Sequence, residues 1–172
     1  GLARASVVEL RQVPGIGPAK ATELKAALEL GKRMATHGEA TRPRITCPAD
    51  AAPRLIAAIG DGLQEHFCVL HLDNKNAVIR MSEVYQGSAN TAVMRLGEIF
   101  REAVRDNAVN VIVAHNHPSG DLTPSAEDIS ATHAIVRAGK LLDITVLDHL
   151  IVSRTAHLSL KEHMLRKGLS FD

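Results

Sequence analysis

The stretch VNVIVAHNHPSGDLTPSAEDIS, from Val109 to Ser130, constrains the fold of this chain more than any other. It opens on an almost continuous apolar run, as expected of a strand covered on both faces. Pro118, Ser119, Gly120, Asp121 and Pro124 then supply turn chemistry. Ser125-Ala126-Glu127-Asp128 fits a capping box that opens a helix. A buried strand handing over to a capped helix implies a sheet with helices on its faces.

The other elements follow the same order. EHFCVLHLD and AVIRMSEVY read as a hairpin joined by the turn Asp73-Asn74-Lys75-Asn76. RLGEIFREAVRDN places Leu96, Ile99, Phe100 and Val104 at helical spacing. A helix is expected from Ser125 to Gly139, then a strand within DITVLDHLIVS and a short polar terminal helix. Upstream, ASVVELRQV and PAKATELKAALELGKRMA read as helices, the second starting at Pro18 and ending at Gly38. The expected organisation is a helical segment at 1–37, a linker and short helix at 38–60, and an α/β (α+β) sheet domain at 61–172.

Composition limits the function classes. Hydrophobic residues make up 45% of the 172, enough for a packed core. Aromatics are 2%, which argues against a stacking platform for single-stranded nucleic acid. The formal net charge of +1 predicts no partner by itself. Cys47 and Cys68 show no CxxC spacing, and Cys68 reads as a small buried hydrophobe. The absence of a disulfide framework, signal-peptide pattern and membrane-length apolar run makes the cytoplasm the expected compartment.

HNHPSGDLTPSAED has two readings. A lone His at a strand end is more often hydrogen-bonded than metal-bound, and the turn and cap residues need no further purpose. Taken together they point elsewhere. Residues i and i+2 of a strand share a face, so His115 and His117 can present imidazoles to one point. Asp128 lies one turn into the next helix, where a carboxylate can face the strand end. Two imidazoles and one carboxylate form a three-ligand set that leaves a fourth tetrahedral position for water.

The pattern H-x-H-P followed by S-x-x-D resembles the JAMM (MPN+) metalloprotease signature. HNHPSGD-x-x-PS-x-x-D is similar to its form in the bacterial RadC family, as are EHFCVLHLDNKN, GEIFREAV and VLDHLIVS. The resemblance covers residues 61–160. It implies a cytidine-deaminase-like mixed sheet, and a zinc held by His115, His117 and Asp128. It also implies a glutamate on the first strand of the domain, best matched by Glu65, with Glu83 and Glu98 as rivals. That residue would take a proton from the attacking water and return it to the leaving amine. Ser125 would, by the same resemblance, help stabilise an oxyanion. His149 in VLDHLIV is either a partner of the ligands or one half of a satisfied buried pair with Asp148. The chain departs from the family at Leu96-Gly97, where Pro-Arg usually precedes Glu-Ile-Phe.

At the front, VPGIGPAKATEL resembles a helix-hairpin-helix. Gly15 and Gly17 permit a tight turn whose N–H groups suit a phosphate, and Lys20 adds a charge. Lys25, Lys32 and Arg33 continue a basic face. Such a hairpin would contact DNA weakly and without reading sequence; the bland alternative is an αα-hairpin that only packs. Further helices precede this point in RadC relatives, so the segment reads as truncated.

The expected function is therefore a zinc-dependent hydrolase of JAMM type, cleaving a peptide or isopeptide bond and tethered to DNA. The alternatives are a DNA-binding module associated with repair or recombination, and a metal-dependent nuclease using the same site. Nuclease chemistry usually recruits two metals bridged by several carboxylates, which this stretch does not offer. A zinc deaminase needs H-x-E and P-C-x-x-C, which are absent. A mononuclear iron oxygenase shares the ligand types but not the flanking Pro-Ser-Gly pattern.

Overall fold

The computed structural model describes residues 5–37, 42–87 and 95–171, with residues 29 and 31–37 as backbone only. The chain divides into two compact units, Gly1–Arg42 and Pro43–Asp172.

In the first unit α1 (Val7–Leu10) is capped by Ser6, whose hydroxyl accepts from the Glu9 N–H while the Glu9 carboxylate accepts from the Ser6 N–H. The sequence suggests a longer helix, but the chain turns directly after Leu10, ahead of Pro14-Gly15. Gly15 has φ +85, a left-handed conformation that side chains disfavour. Gly17 lies outside that region and a Cβ there would meet open space. Only the first of the two glycines is therefore required by the turn. α2 (Pro18–His37) follows, and Leu10 and Ala21 are buried. The side chains of Lys32 and Arg33, and Gly38, lie outside the described residues.

The second unit is built on a five-stranded mixed sheet. Its strands are β1 (His66–Leu72), β2 (Val78–Gln86), β3 (Asn110–Asn116), β4 (Thr145–Val152) and β5 (His157–Ser159). They lie in the order β2-β1-β3-β4-β5, antiparallel except for the central β3–β4 pair. Parallel neighbours need a crossover, here supplied by α5 (Ala126–Leu141). α3 (Pro48–Ile59), α4 (Leu96–Arg105) and α6 (Leu160–Arg166) complete the unit.

Strand alternation sorts the side chains into two cores. Phe67, Val69, Val111 and Val113 face Ile99, Phe100 and Ala103 of α4 and Ile135 and Val136 of α5. Cys68, Leu70, Ile112, Ala114 and Leu150 face Ala51, Leu55 and Ile59 of α3. Each fully buried large side chain contributes about 1.5–3 kcal/mol. β3 is apolar on both faces because both are covered.

The expected linker and short helix at 38–60 fall within the sheet unit from Pro43 onward, and residues 38–41 lie outside the described residues. α3 buries Ala51, Ala52, Leu55 and Ile59, and the Ile45 N–H pairs with the Asn76 carbonyl. Pro43, Pro48 and Pro53 make this stretch look broken when they only punctuate it. Val104, which shares the helical spacing of Ile99 and Phe100, is 53% exposed, and its neighbour Ala103 takes the buried position.

Cys68 is buried, and burial together with Glu83 pushes its thiol up to about 12, so it acts as an inert core residue. His71 is also buried, held by Asp106 at 2.6 Å and Ser82 at 2.9 Å, which ties β1 to β2 and to the end of α4. Among the described residues no helix is long and apolar enough to cross a membrane.

Candidate metal centre

β3 ends at Asn116, and the β3–α5 crossover begins there. Ligand sites in such sheets lie at the carboxyl ends of the strands. His115 pairs in register with Phe67 of β1 and Ile151 of β4, and its ring stacks on Phe67 with centroids 6.4 Å apart. The chain then turns through Pro118 and Gly120, the latter at φ +80.

Ser125 caps α5 as its sequence predicts. Its hydroxyl accepts from the Asp128 N–H at 3.1 Å and donates to Asp128 Oδ2 at 2.6 Å, while its own N–H donates to that oxygen at 2.8 Å. The capping box therefore orients the carboxylate as well as starting the helix.

His115, His117 and Asp128 converge, with one ligand atom from each lying within 4.8 Å of the others. His115 Nε2 is 3.0 Å from His117 Nε2 and 3.2 Å from Asp128 Oδ1. His117 Nδ1 lies 2.5 Å from the Asp121 carbonyl oxygen, which can only accept, so Nδ1 carries the hydrogen. In the neutral ring the Nε2 lone pair then points at the other two groups. Nitrogen and oxygen acceptors this close need a proton or a cation between them. The donor set fits a metal ion of zinc type, for which two imidazoles and a carboxylate leave an open position.

The electrostatics agree. Burial alone would raise the Asp128 carboxyl, but hydrogen bonds with His115 and His117 outweigh it and hold the group well below the usual carboxylate range. Hydrogen bonding with Asp128 raises the His117 imidazole above its ordinary value, against the opposing effect of burial.

Behind the cluster lies a second row. His149 Nε2 is 2.8 Å from His115 Nδ1, and His149 Nδ1 is 2.7 Å from Thr132 Oγ1. Thr132 Oγ1 in turn donates to the Asp128 carbonyl at 2.6 Å. Asp148 turns away to accept from Ser159 Oγ and the His149 N–H. The His149 ring therefore meets the ring of His115, a candidate ligand, while Asp148 meets His149 only at its backbone N–H.

A cavity of about 470 Å³ opens over the cluster, lined in part by Glu65, Phe67, Tyr85 and Ser125. Glu65 is half-buried in this wall. Glu83 and Glu98 are not among the lining residues: Glu83 pairs with His66 and Glu98 with Arg95. Burial, followed by the charges of Glu65 and Asp128, pushes Tyr85 up to about 12, so its hydroxyl keeps its proton and can donate. Gly15, Gly17 and Lys20 belong to the helical unit, where Lys20 Nζ donates to the Gly15 carbonyl at 3.4 Å.

Sequence reasoning passed over Asn116. Its amide donates to the carbonyls of Gly62 and Gln64, and its Oδ1 accepts from the His66 N–H. Every one of these bonds is to the backbone on either side of Glu65. Gly62 is needed for that approach, since a Cβ there would stand 2.6 Å from the His66 ring and 3.0 Å from the Asn116 amide. The one signal available was a polar residue on the apolar face between two histidines.

Comparison with known proteins agrees with this architecture. Residues 45–165 match the family described as RadC-like JAB domain. A UPF0758 protein of Chloroflexus aurantiacus is 46% identical over all 172 residues, which span 73% of that relative. One from Staphylococcus aureus is 47% identical over 161 residues, 94% of this chain and 71% of the relative. One from Roseiflexus castenholzii is 45% identical over 171 residues, 99% of this chain and 72% of the relative. With a family match across most of its length and relatives this close, the chain belongs to the RadC family and carries a RadC-like JAB domain.

Proposed function

We propose that this protein is a zinc-dependent hydrolase of JAMM type acting on a peptide or isopeptide bond. The observation that carries the reading is the convergence of His115, His117 and Asp128 beneath a cavity whose wall includes Glu65. When bound, the zinc supplies Lewis acidity, making water a nucleophile near neutral pH and taking up charge on a carbonyl oxygen.

The chain's own residues do the rest. His115, His117 and Asp128 are the residues that would hold the metal, two imidazoles and a carboxylate. Glu65 takes a proton from the attacking water on its carboxylate and delivers it to the departing amine. The Tyr85 hydroxyl, still protonated, is available to a substrate oxygen in the cavity. The Ser125 hydroxyl has its hydrogen on Asp128 Oδ2, so its first task is to hold that ligand. Donation to an oxyanion requires it to leave that bond.

For the helical unit we propose weak, sequence-independent contact with a DNA backbone. The support is the left-handed turn at Gly15 ahead of α2, with Gly15, Gly17 and Lys20 all exposed. Cytoplasmic residence is part of the same reading.

The test is a screen of zinc-loaded protein against peptide, isopeptide-linked and DNA substrates. Glu65→Gln should keep its zinc and lose roughly 100-fold or more in hydrolysis. Glu83→Gln should stay near wild type. Turnover that survives Glu65→Gln but disappears with Glu83→Gln contradicts the assignment, and cleavage of DNA alone replaces it with the nuclease reading.

A further inference from the structure

The buried pair Thr132 and His149, each 1% exposed, extends the metal cluster inward along a single chain of hydrogen bonds. The direction of that chain follows from donor and acceptor accounting. The Asp128 carbonyl can only accept, so the contact at 2.6 Å uses the one hydrogen of the Thr132 hydroxyl. Thr132 Oγ1 can then only accept from His149, so His149 Nδ1 carries a hydrogen. In a neutral ring this leaves a lone pair on His149 Nε2, facing His115 Nδ1 at 2.8 Å. His115 must therefore place its hydrogen on Nδ1, leaving the Nε2 lone pair 3.2 Å from Asp128.

We propose that Thr132 and His149 are positioning residues that lock His115 in the Nδ1–H tautomer, so that its Nε2 lone pair is presented to the metal. The inference rests on the metal-hydrolase reading and goes beyond it by giving roles to two residues that touch neither metal nor substrate.

Several features support one direction for the relay. The chain starts and ends on Asp128, running from its backbone carbonyl through both rings to its carboxylate. α5 therefore fixes the helix, the ligand carboxylate and the ligand tautomer with the same first turns. Phe67 packs edge-on against His149 with centroids 5.7 Å apart and stacks on His115, so neither ring can flip without moving the core. Run in reverse, the chain would place a hydrogen on His115 Nε2, where the metal binds.

The test compares zinc binding, read by competition with a chelating dye, in wild type, Thr132→Ser and Thr132→Val. Thr132→Val keeps the shape but gives His149 Nδ1 no acceptor, so the reversed tautomer gains ground and zinc affinity should fall roughly 10–100-fold. Thr132→Ser keeps the acceptor and should stay within a few-fold of wild type. Long-range proton–nitrogen NMR of the zinc-loaded wild type should show hydrogens on Nδ1 of both His115 and His149, a readout that needs no variant to fold. If Thr132→Val binds zinc as wild type does, or if His149 carries its hydrogen on Nε2, the relay is wrong and the metal reading stands. If wild type binds no zinc, both are overturned.

Discussion

Asn116 Oδ1 accepts the His66 N–H at 2.6 Å, so the residue between the two candidate ligand histidines holds the backbone next to Glu65. One strand end therefore carries the candidate ligand histidines on one face and, from the other, holds the backbone beside Glu65, which lines the cavity. Asn116→Ala should leave the His66 N–H without its partner and destabilise the fold by about 1–3 kcal/mol in urea unfolding. Zinc content should stay at the wild-type level, because no ligand is touched. Hydrolysis should fall with the displacement of Glu65. Unchanged hydrolysis with full zinc would show that this tether does not matter to the chemistry.

Zinc affinity should depend on pH in a direction set by His117. Asp128 raises the His117 pKa above its ordinary 6.5, and zinc binding requires the proton to leave. Affinity should therefore be greatest well above pH 6.5 and fall as pH drops through the raised value. Asp128 stays ionised throughout, since its own value is depressed, and contributes no dependence in this window. Asp128→Asn should weaken zinc at every pH and move the His117 titration down towards its ordinary range. Affinity measured by calorimetry that stays flat between pH 8 and 5.5 would contradict this account of the cluster.

Ser125 has two jobs that can be separated. Ser125→Ala removes the cap, costing about 1 kcal/mol. It also removes two of the contacts that orient Asp128, Ser125 Oγ as donor to Oδ2 and as acceptor from the Asp128 N–H. Zinc affinity should fall by roughly 10-fold, the lower range for a residue that holds a ligand in place. Ser125→Thr keeps both contacts and should stay close to wild type. Loss of stability without any loss of zinc would reduce Ser125 to a cap.

The sequence carried most of the architecture. The apolar run before His115, the hairpin around Asp73–Asn76 and the capping box at Ser125 each have a local cause, and each appears where expected. β5 is three residues long, too short for any period to show, and was not foreseen. α3 reads from sequence as a short helix set apart from the domain, because the segment before it looks like a linker and its role depends on what Leu55 and Ile59 pack against. The candidate ligands could be read from spacing because strand and helix geometry fix where i, i+2 and the first helical turn point. Thr132, Tyr85 and Asn116 could not, because what brings each to the site, His149, Phe67 and the backbone of Gly62–His66 respectively, is distant in sequence. His149 stood between these cases: its residue type was suggestive, but only the 2.8 Å contact with His115 decides what it touches.

For the helical unit the expected contact with duplex DNA is weak, roughly 10⁻⁴–10⁻⁶ M at physiological salt, and independent of sequence. Lys20→Ala should lower the salt slope by about one unit. Gly15→Val should weaken binding by straining a left-handed residue, whereas Gly17→Ala should be tolerated, because a Cβ there meets open space. Fluorescence anisotropy across a salt series reads all three. Binding that ignores salt, or that disappears on zinc removal, would move the DNA to the metal site.

The central claim is that His115, His117 and Asp128 hold one catalytic metal, and elemental analysis of protein purified without chelator tests it most directly. The account predicts close to one zinc per chain, lost on His115→Ala and on Asp128→Ala while circular dichroism shows the fold retained. Full zinc retention in both variants, or a metal-free wild type that still hydrolyses substrate, would contradict it.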